Sequence, residues 1–197
     1  MSIATPLDLK LTSTCMLLGI DLSVNLPRAL VMTIPSLALS ILFISIGATL
    51  VMDLWTVLLR HLGVTTLDYA MVGRWAGHLR EGRWRHAAIG KAAPVRGELA
   101  LGWLLHYATG LVFAALLAAI AGQGWLRVPT LWPALLFGIV SVLVPLCVVQ
   151  PALGAGYFAA RTPAPLRSCL RSLATHGVFG FGLFLSAIVL AGVRSFA

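Results

Sequence analysis

Four apolar runs, each carrying isolated polar side chains, set the pattern of this chain. They cover about 35–59, 98–121, 131–155 and 169–193. A helix crosses a hydrocarbon core of about 30 Å with roughly 20 apolar residues, so each run is long enough to span a bilayer. The pattern predicts an all-α integral membrane protein, a four-transmembrane-helix bundle. Pro35 and Pro133 fall at helix entries, where a missing donor costs nothing. Pro145 falls inside the third run and predicts a kink there, with freed carbonyls that need partners in the bundle. Between the first two runs Leu67, Met71, Trp75 and Leu79 recur every fourth residue. This spacing predicts a short amphipathic helix at the membrane interface, with Trp75 at headgroup level and Arg74, Arg80, Arg83 and Arg85 turned toward anionic lipid.

The polar residues inside the runs carry the functional question. Asp53 lies in an otherwise greasy segment, where an aspartate costs roughly 2.5–3.5 kcal/mol near a helix centre and so normally faces protein or a wet cavity. Ser45, Thr49 and Thr56 stand eight and four residues before it and three after, which draws a polar stripe on one face of the first helix. The other three runs contribute His106, Gln150 and His176. Counted from the loop boundaries at 1.5 Å per residue, all four lie roughly 9–12 Å inside the same side of the membrane. Gly102, His106, Gly110, Ala114 and Ala118 are spaced by four and form a small-residue seam that turns His106 inward. Glu98 begins the second run, where a carboxylate suits the helix dipole. The second and fourth runs share His-x-x-x-Gly, at His106–Gly110 and His176–Gly180, which points to two helix hairpins related by a pseudo-twofold axis along the membrane normal.

Composition strengthens the membrane reading. Charged residues make up 10% of the chain and hydrophobic residues 59%, whereas soluble domains carry about a quarter charged residues. The net charge of +8 resides largely in the connections, seven basic residues between Arg60 and Gly97 and three at Arg161, Arg167 and Arg171. By the positive-inside rule these loops are cytoplasmic and both ends of the bundle periplasmic, in a bacterial inner membrane. The charge needs no nucleic-acid partner. Cys15, Cys147 and Cys169 have neither metal spacing nor an even-numbered disulfide framework. Residues 1–33 contain Asp8, Lys10, Asp21 and Arg28 without an apolar core, so they read as a poorly structured tail before a membrane domain at 34–197, with Met32 as an alternative start.

Several stretches resemble a known family. They are Gly47–Trp55, Tyr69–Trp75, Arg96–Trp103, Gln150-Pro151 and Leu173–His176. Together they look like the bacterial membrane family catalogued as domain of unknown function 2938, from about Met32 to the C-terminus. The resemblance implies a small inner-membrane protein and brings no catalytic residue with it.

Three classes of function fit these residues. In the leading one Asp53 pairs with His106 or His176 and handles protons, a cation or a small polar solute, without a cofactor. Four spans would then work as a homodimer or with a membrane partner. In the second, Asp53, His106 and His176 are candidate metal ligands with Gln150 as a poor fourth, or the two histidines ligate haem beside Gly110 and Gly180. In the third, the polar layer is an interhelical lock in a structural or assembly protein of the membrane. No Walker sequence, nucleophile elbow or zinc-protease motif supports enzymatic chemistry.

Overall fold

The computed structural model describes residues 32–195, and all of the tail expected at 1–33 but Met32 and Thr33 lies outside them. Among the described residues the chain is helical with no strand. Within the described residues four helices are long and apolar enough to cross a membrane: α1 (Ile34–His61), α3 (Glu98–Arg127), α4 (Leu131–Leu153) and α5 (Pro165–Ser195). A shorter helix, α2 (Tyr69–Leu79), forms in the first loop. The protein is thus a multi-pass membrane protein. Its long helices present Leu39, Leu54, Leu104, Ile120, Val140 and Val193 outward, as lipid-facing surfaces require.

The helices end where local chemistry ends them. Asp68 caps α2, its carboxylate accepting from the Ala70 amide at 2.9 Å. α5 begins at Pro165 rather than near Cys169, because proline's fixed φ suits a first turn; Arg167 and Arg171 therefore belong to the helix and not to the loop before it. α3 breaks its helical geometry at Gly122 (φ 76°) and resumes through Arg127. Helical structure thus reaches into the connection expected at 122–130, where Trp125 and Leu126 are buried. In α4, Pro145 does not simply bend the helix. Residues Pro145–Val149 adopt a π-helical turn, a wider winding that accommodates the proline's missing donor and recurs at functional sites.

α1 packs on α3 along one side and on α5 along the other, and α4 packs on α5. Small residues set these distances. A Cβ on Gly138 of α4 would lie 2.5 Å from Gly180 Cα on α5, and one on Gly110 of α3 would lie 2.4 Å from Thr49 Oγ1 on α1. The two hairpins, α1–α3 and α4–α5, therefore each close on the glycine four residues after a histidine, at Gly110 and Gly180. α4 touches α3 only lightly, which leaves room between the hairpins.

The seam predicted on α3 serves two partners. Gly110 faces α1, whereas Gly102 faces α2: a Cβ there would sit 1.8 Å from Tyr69 O, and one on Gly73 would sit 1.7 Å from Glu98 O. α2 consequently runs antiparallel along the start of α3, packed against it. Arg74 seals this joint. Its guanidinium donates to both Glu98 oxygens, at 2.8 and 2.7 Å, and to the carbonyl of Ala92 at 3.2 Å. Glu98 also accepts from the Val95 amide at 2.9 Å, which ties the chain entering α3 to its first turn. Arg74 is buried at this joint, so it differs from the lipid-facing residue its spacing suggested. The reason is that Gly73 and Gly102 let α2 dock too closely for its arginine face to stay free.

Candidate functional site

Asp53 is held by two consecutive residues of α3. Its Oδ1 lies 2.9 Å from His106 Nε2 and its Oδ2 accepts from the Tyr107 hydroxyl at 3.0 Å. Neighbouring helical positions are about 100° apart, so His106 and Tyr107 clasp the carboxylate from either side. The Asp53 and His106 side chains remain 14% and 11% exposed. Thr56 donates back to the Asp53 carbonyl at 2.8 Å.

α2 adds a third partner. The Tyr69 hydroxyl lies 3.1 Å from the same His106 Nε2, and the two rings stack at 4.4 Å between centroids. Trp103 packs beside both rings, its centroid 4.6 Å from Tyr69 and 5.8 Å from His106. Burial first, and then the charge of Asp53, push the Tyr69 phenol pKa upward, so it stays protonated. One nitrogen cannot donate to Asp53 and accept from Tyr69 at once. With Asp53 ionised, the Nε2 proton points to the carboxylate and the Tyr69 oxygen shares it, which leaves the phenol hydrogen free to donate elsewhere.

The second hairpin holds its histidine differently. Ser141 Oγ donates to Gly138 O at 2.6 Å and lies 2.7 Å from His176 Nδ1. A hydroxyl has one hydrogen, so here it accepts from Nδ1–H. Neutral His176 is thereby fixed as the Nδ1–H tautomer, with Nε2 an acceptor.

Both histidines line one half-open cavity of about 270 Å³, walled by α1, α3, α4, α5 and the first turns of α2. Most of its wall is apolar, including Leu105, Phe113, Val144 and Phe179. Pro145 and Val149 of the π-helical turn also reach it. Arg171 stands on the wall and donates to Thr65 O, while Arg60 donates to Thr66 Oγ1 at 2.6 Å and Leu67 O at 3.2 Å. These two arginines, from α5 and α1, pin the 65–67 linker beside the cavity.

The four residues expected in one layer thus separate. Asp53 and His106 form a bonded pair, and His176 faces the same cavity from the other hairpin with Ser141 as its partner. Gln150 joins neither: its Oε1 is buried and finds no hydrogen-bond partner among the described residues. Of the polar stripe, Thr49 and Thr56 line the cavity and Ser45 is buried beside Gly110. Thr49 Oγ1 is buried and without a hydrogen-bond partner among the described residues. In the loop, Trp75 reaches the cavity and donates to Trp84 O at 2.8 Å. Arg80 is exposed, Arg83 pairs with Glu81, and Arg85 lies over the Trp84 ring at 5.2 Å. Among the described residues no three His, Cys, Asp or Glu side chains gather as a metal shell. The triad of Asp53, His106 and His176 therefore lacks the geometry of a shared metal site.

Spacing alone missed Tyr69, Tyr107 and Ser141. Tyr107 adjoins His106, and Ser141 is the lone hydroxyl in the apolar stretch from Leu131 to Val149; both were readable as partners. Tyr69 required knowing that α2 docks on Gly102.

A family model described as "Protein of unknown function (DUF2938)" matches residues 42–190. The chain belongs to the DUF2938 family. Every residue of the two histidine clusters, from Asp53 to His176, lies within the DUF2938 match. No curated protein and no solved structure matches the chain.

Proposed function

We propose that this DUF2938 protein handles protons at a membrane-embedded cavity, with Asp53 and His106 as the exchanging pair. The observation that carries this reading is the Asp53–His106 contact at 2.9 Å beside a cavity that His106 itself lines. His106 Nδ1 has no partner among the described residues, while Nε2 is committed to Asp53. An imidazole so placed works as a relay: a proton taken up at Nδ1 from a group in the cavity releases the one at Nε2 to Asp53. Tyr107 stays bonded to the other carboxylate oxygen throughout and keeps Asp53 oriented. Buried intramembrane acids usually serve such pathways, because their insertion cost otherwise goes uncompensated.

The basic loops favour a topology with the linker side of the cavity toward the cytoplasm. In proteoliposomes under a potassium-diffusion potential, an internal pH dye should report proton movement with the native protein. Asp53→Asn and His106→Gln should each abolish it. Movement no faster than in protein-free vesicles, or unaffected by Asp53→Asn, would reject the proposal. A second reading, an interhelical lock, is favoured by the way Asp53 joins α1 to α3; it predicts loss of folding rather than loss of proton movement.

A further inference from the structure

The cavity walls carry a hydrogen-bonding pattern that the proton relay does not use. Thr49 has a buried hydroxyl with no protein partner among the described residues. In a helix, a threonine hydroxyl ordinarily bonds back to the carbonyl three or four residues earlier. Thr49 does not: its Oγ1 sits against Gly110, itself a lining residue of the cavity, in the space a Cβ there would fill, with Ser45 Oγ close by. Tyr69 also lines the cavity, and its phenol hydrogen is left over once His106 Nε2–H is shared between Asp53 and the Tyr69 oxygen. These two groups are donors. On the facing hairpin, Ser141 uses its one hydrogen on Gly138 O and so holds His176 with Nε2 as an acceptor. Between the donors and the acceptor the wall is apolar, with Leu105, Phe113 and Phe179.

We propose that the cavity binds an uncharged, mainly apolar molecule with two oxygen functions, a hydroxyl that donates to His176 Nε2 and a second oxygen that accepts from Thr49 or Tyr69. Phenolic amphiphiles of the alkylhydroquinone class have this chemistry: a flat apolar ring, one oxygen at each end and a short chain. A carboxylate does not match, because at His176 it would set one acceptor against another. Among the described residues Arg171 is the one arginine or lysine on the cavity wall, and one of its N–H groups is spent on Thr65 O. The assignment rests on the cavity being the working site, but binding and proton movement are separate observables. Vesicle proton movement can fail while binding persists, which sinks the relay alone, and the converse sinks this inference alone.

The test is calorimetric titration of the full chain in nanodiscs with three probes: pentylhydroquinone, its dimethyl ether and decanoate. Pentylhydroquinone should bind saturably. The ether, which has lost its donor hydrogens, should bind at least about tenfold more weakly, as expected when a hydrogen bond is lost and a buried acceptor left unmet. Thr49→Val keeps the side-chain shape and should weaken pentylhydroquinone by several-fold. Ser141→Ala releases the tautomer lock and should narrow the difference between hydroquinone and ether. The nitrogen-15 shifts of His176 supply a check that needs no variant, with Nδ1 protonated and Nε2 bare in the ligand-free protein. Equal binding of the ether, preferential binding of decanoate, no saturable binding of pentylhydroquinone, or an Nε2–H tautomer at His176 would each overturn the assignment.

Discussion

Replacing Gly102 by alanine tests how α2 is brought to the site. The added Cβ would lie 1.8 Å from Tyr69 O and 2.6 Å from Tyr69 C, both backbone atoms that cannot rotate away. Carbon–oxygen contacts settle near 3.3 Å or beyond, so α2 must retreat by about 1.5 Å. Tyr69 and His106 are 3.1 Å apart, and a retreat of that size along their line takes them out of hydrogen-bond range. The overpacking itself costs about 1–3 kcal/mol, and the lost polar contact adds about 0.6 kcal/mol, the average for interhelical bonds in membranes. The expected total is about 1.6–3.6 kcal/mol of local stability, concentrated in α2. The Asp53–His106 contact joins α1 to α3 and should survive. Hydrogen–deuterium exchange of the detergent-solubilised protein reads both: α2 amides should exchange much faster in Gly102→Ala, with α1 protection retained. Gly177→Ala is the control, since nothing lies within 4 Å of its added Cβ. Native protection of α2 in Gly102→Ala would refute the docking geometry.

Three further outcomes follow from other parts of the fold. Gly138→Ala should destabilise the bundle by about 1–3 kcal/mol, because the new Cβ meets Gly180 Cα at 2.5 Å, and steric-trap unfolding in bicelles measures it. Tyr107→Phe removes one donor to Asp53 without changing shape and should cost about 0.6 kcal/mol by the same assay. His86 gives a pH dependence: burial, then the neighbouring His78 ring at 2.8 Å, lower its pKa from the ordinary imidazole value near 6.5. The unfolded chain then binds the proton more readily than the folded one. Stability is fully present above about pH 6.5 and falls as pH drops through that value toward the folded pKa. Melting curves between pH 7.5 and 5 should show this slope, and His86→Asn should flatten it.

The sequence made the architecture legible because bilayer thickness imposes a run length that soluble folds lack. The four spans follow directly from it, and the helix at α2 from the recurrence of Leu67, Met71, Trp75 and Leu79. Boundaries shifted where a residue played a local role that periodicity does not register: Pro165 as a first-turn residue, and Gly122 as a break with helix beyond it. The inward turn of Asp53 and His106 was readable from one acid in an apolar run and one histidine in a glycine seam. The contact of His106 with Tyr69 was not, since it depends on Gly73 and Gly102 letting a loop helix dock on α3. The same docking buries Arg74, whose spacing alone places it with the exposed arginines. Equal depth suggested that Gln150 and His176 belong with Asp53. Depth fixes one coordinate only, and the rotation of α4 leaves Gln150 off the cavity while Ser141 meets His176.

The pairing of Asp53 with His106 as a working site is tested most directly by Asp53→Asn, with unfolding and proton movement measured on the same reconstituted sample. Asparagine keeps the size and can still accept from Tyr107, but it no longer takes a proton. The account predicts an unfolding free energy within about 1.7 kcal/mol of native, the largest value found for interhelical polar contacts, together with complete loss of proton movement. An unfolded or non-inserting Asp53→Asn protein, or a folded one that moves protons at the native rate, would contradict it.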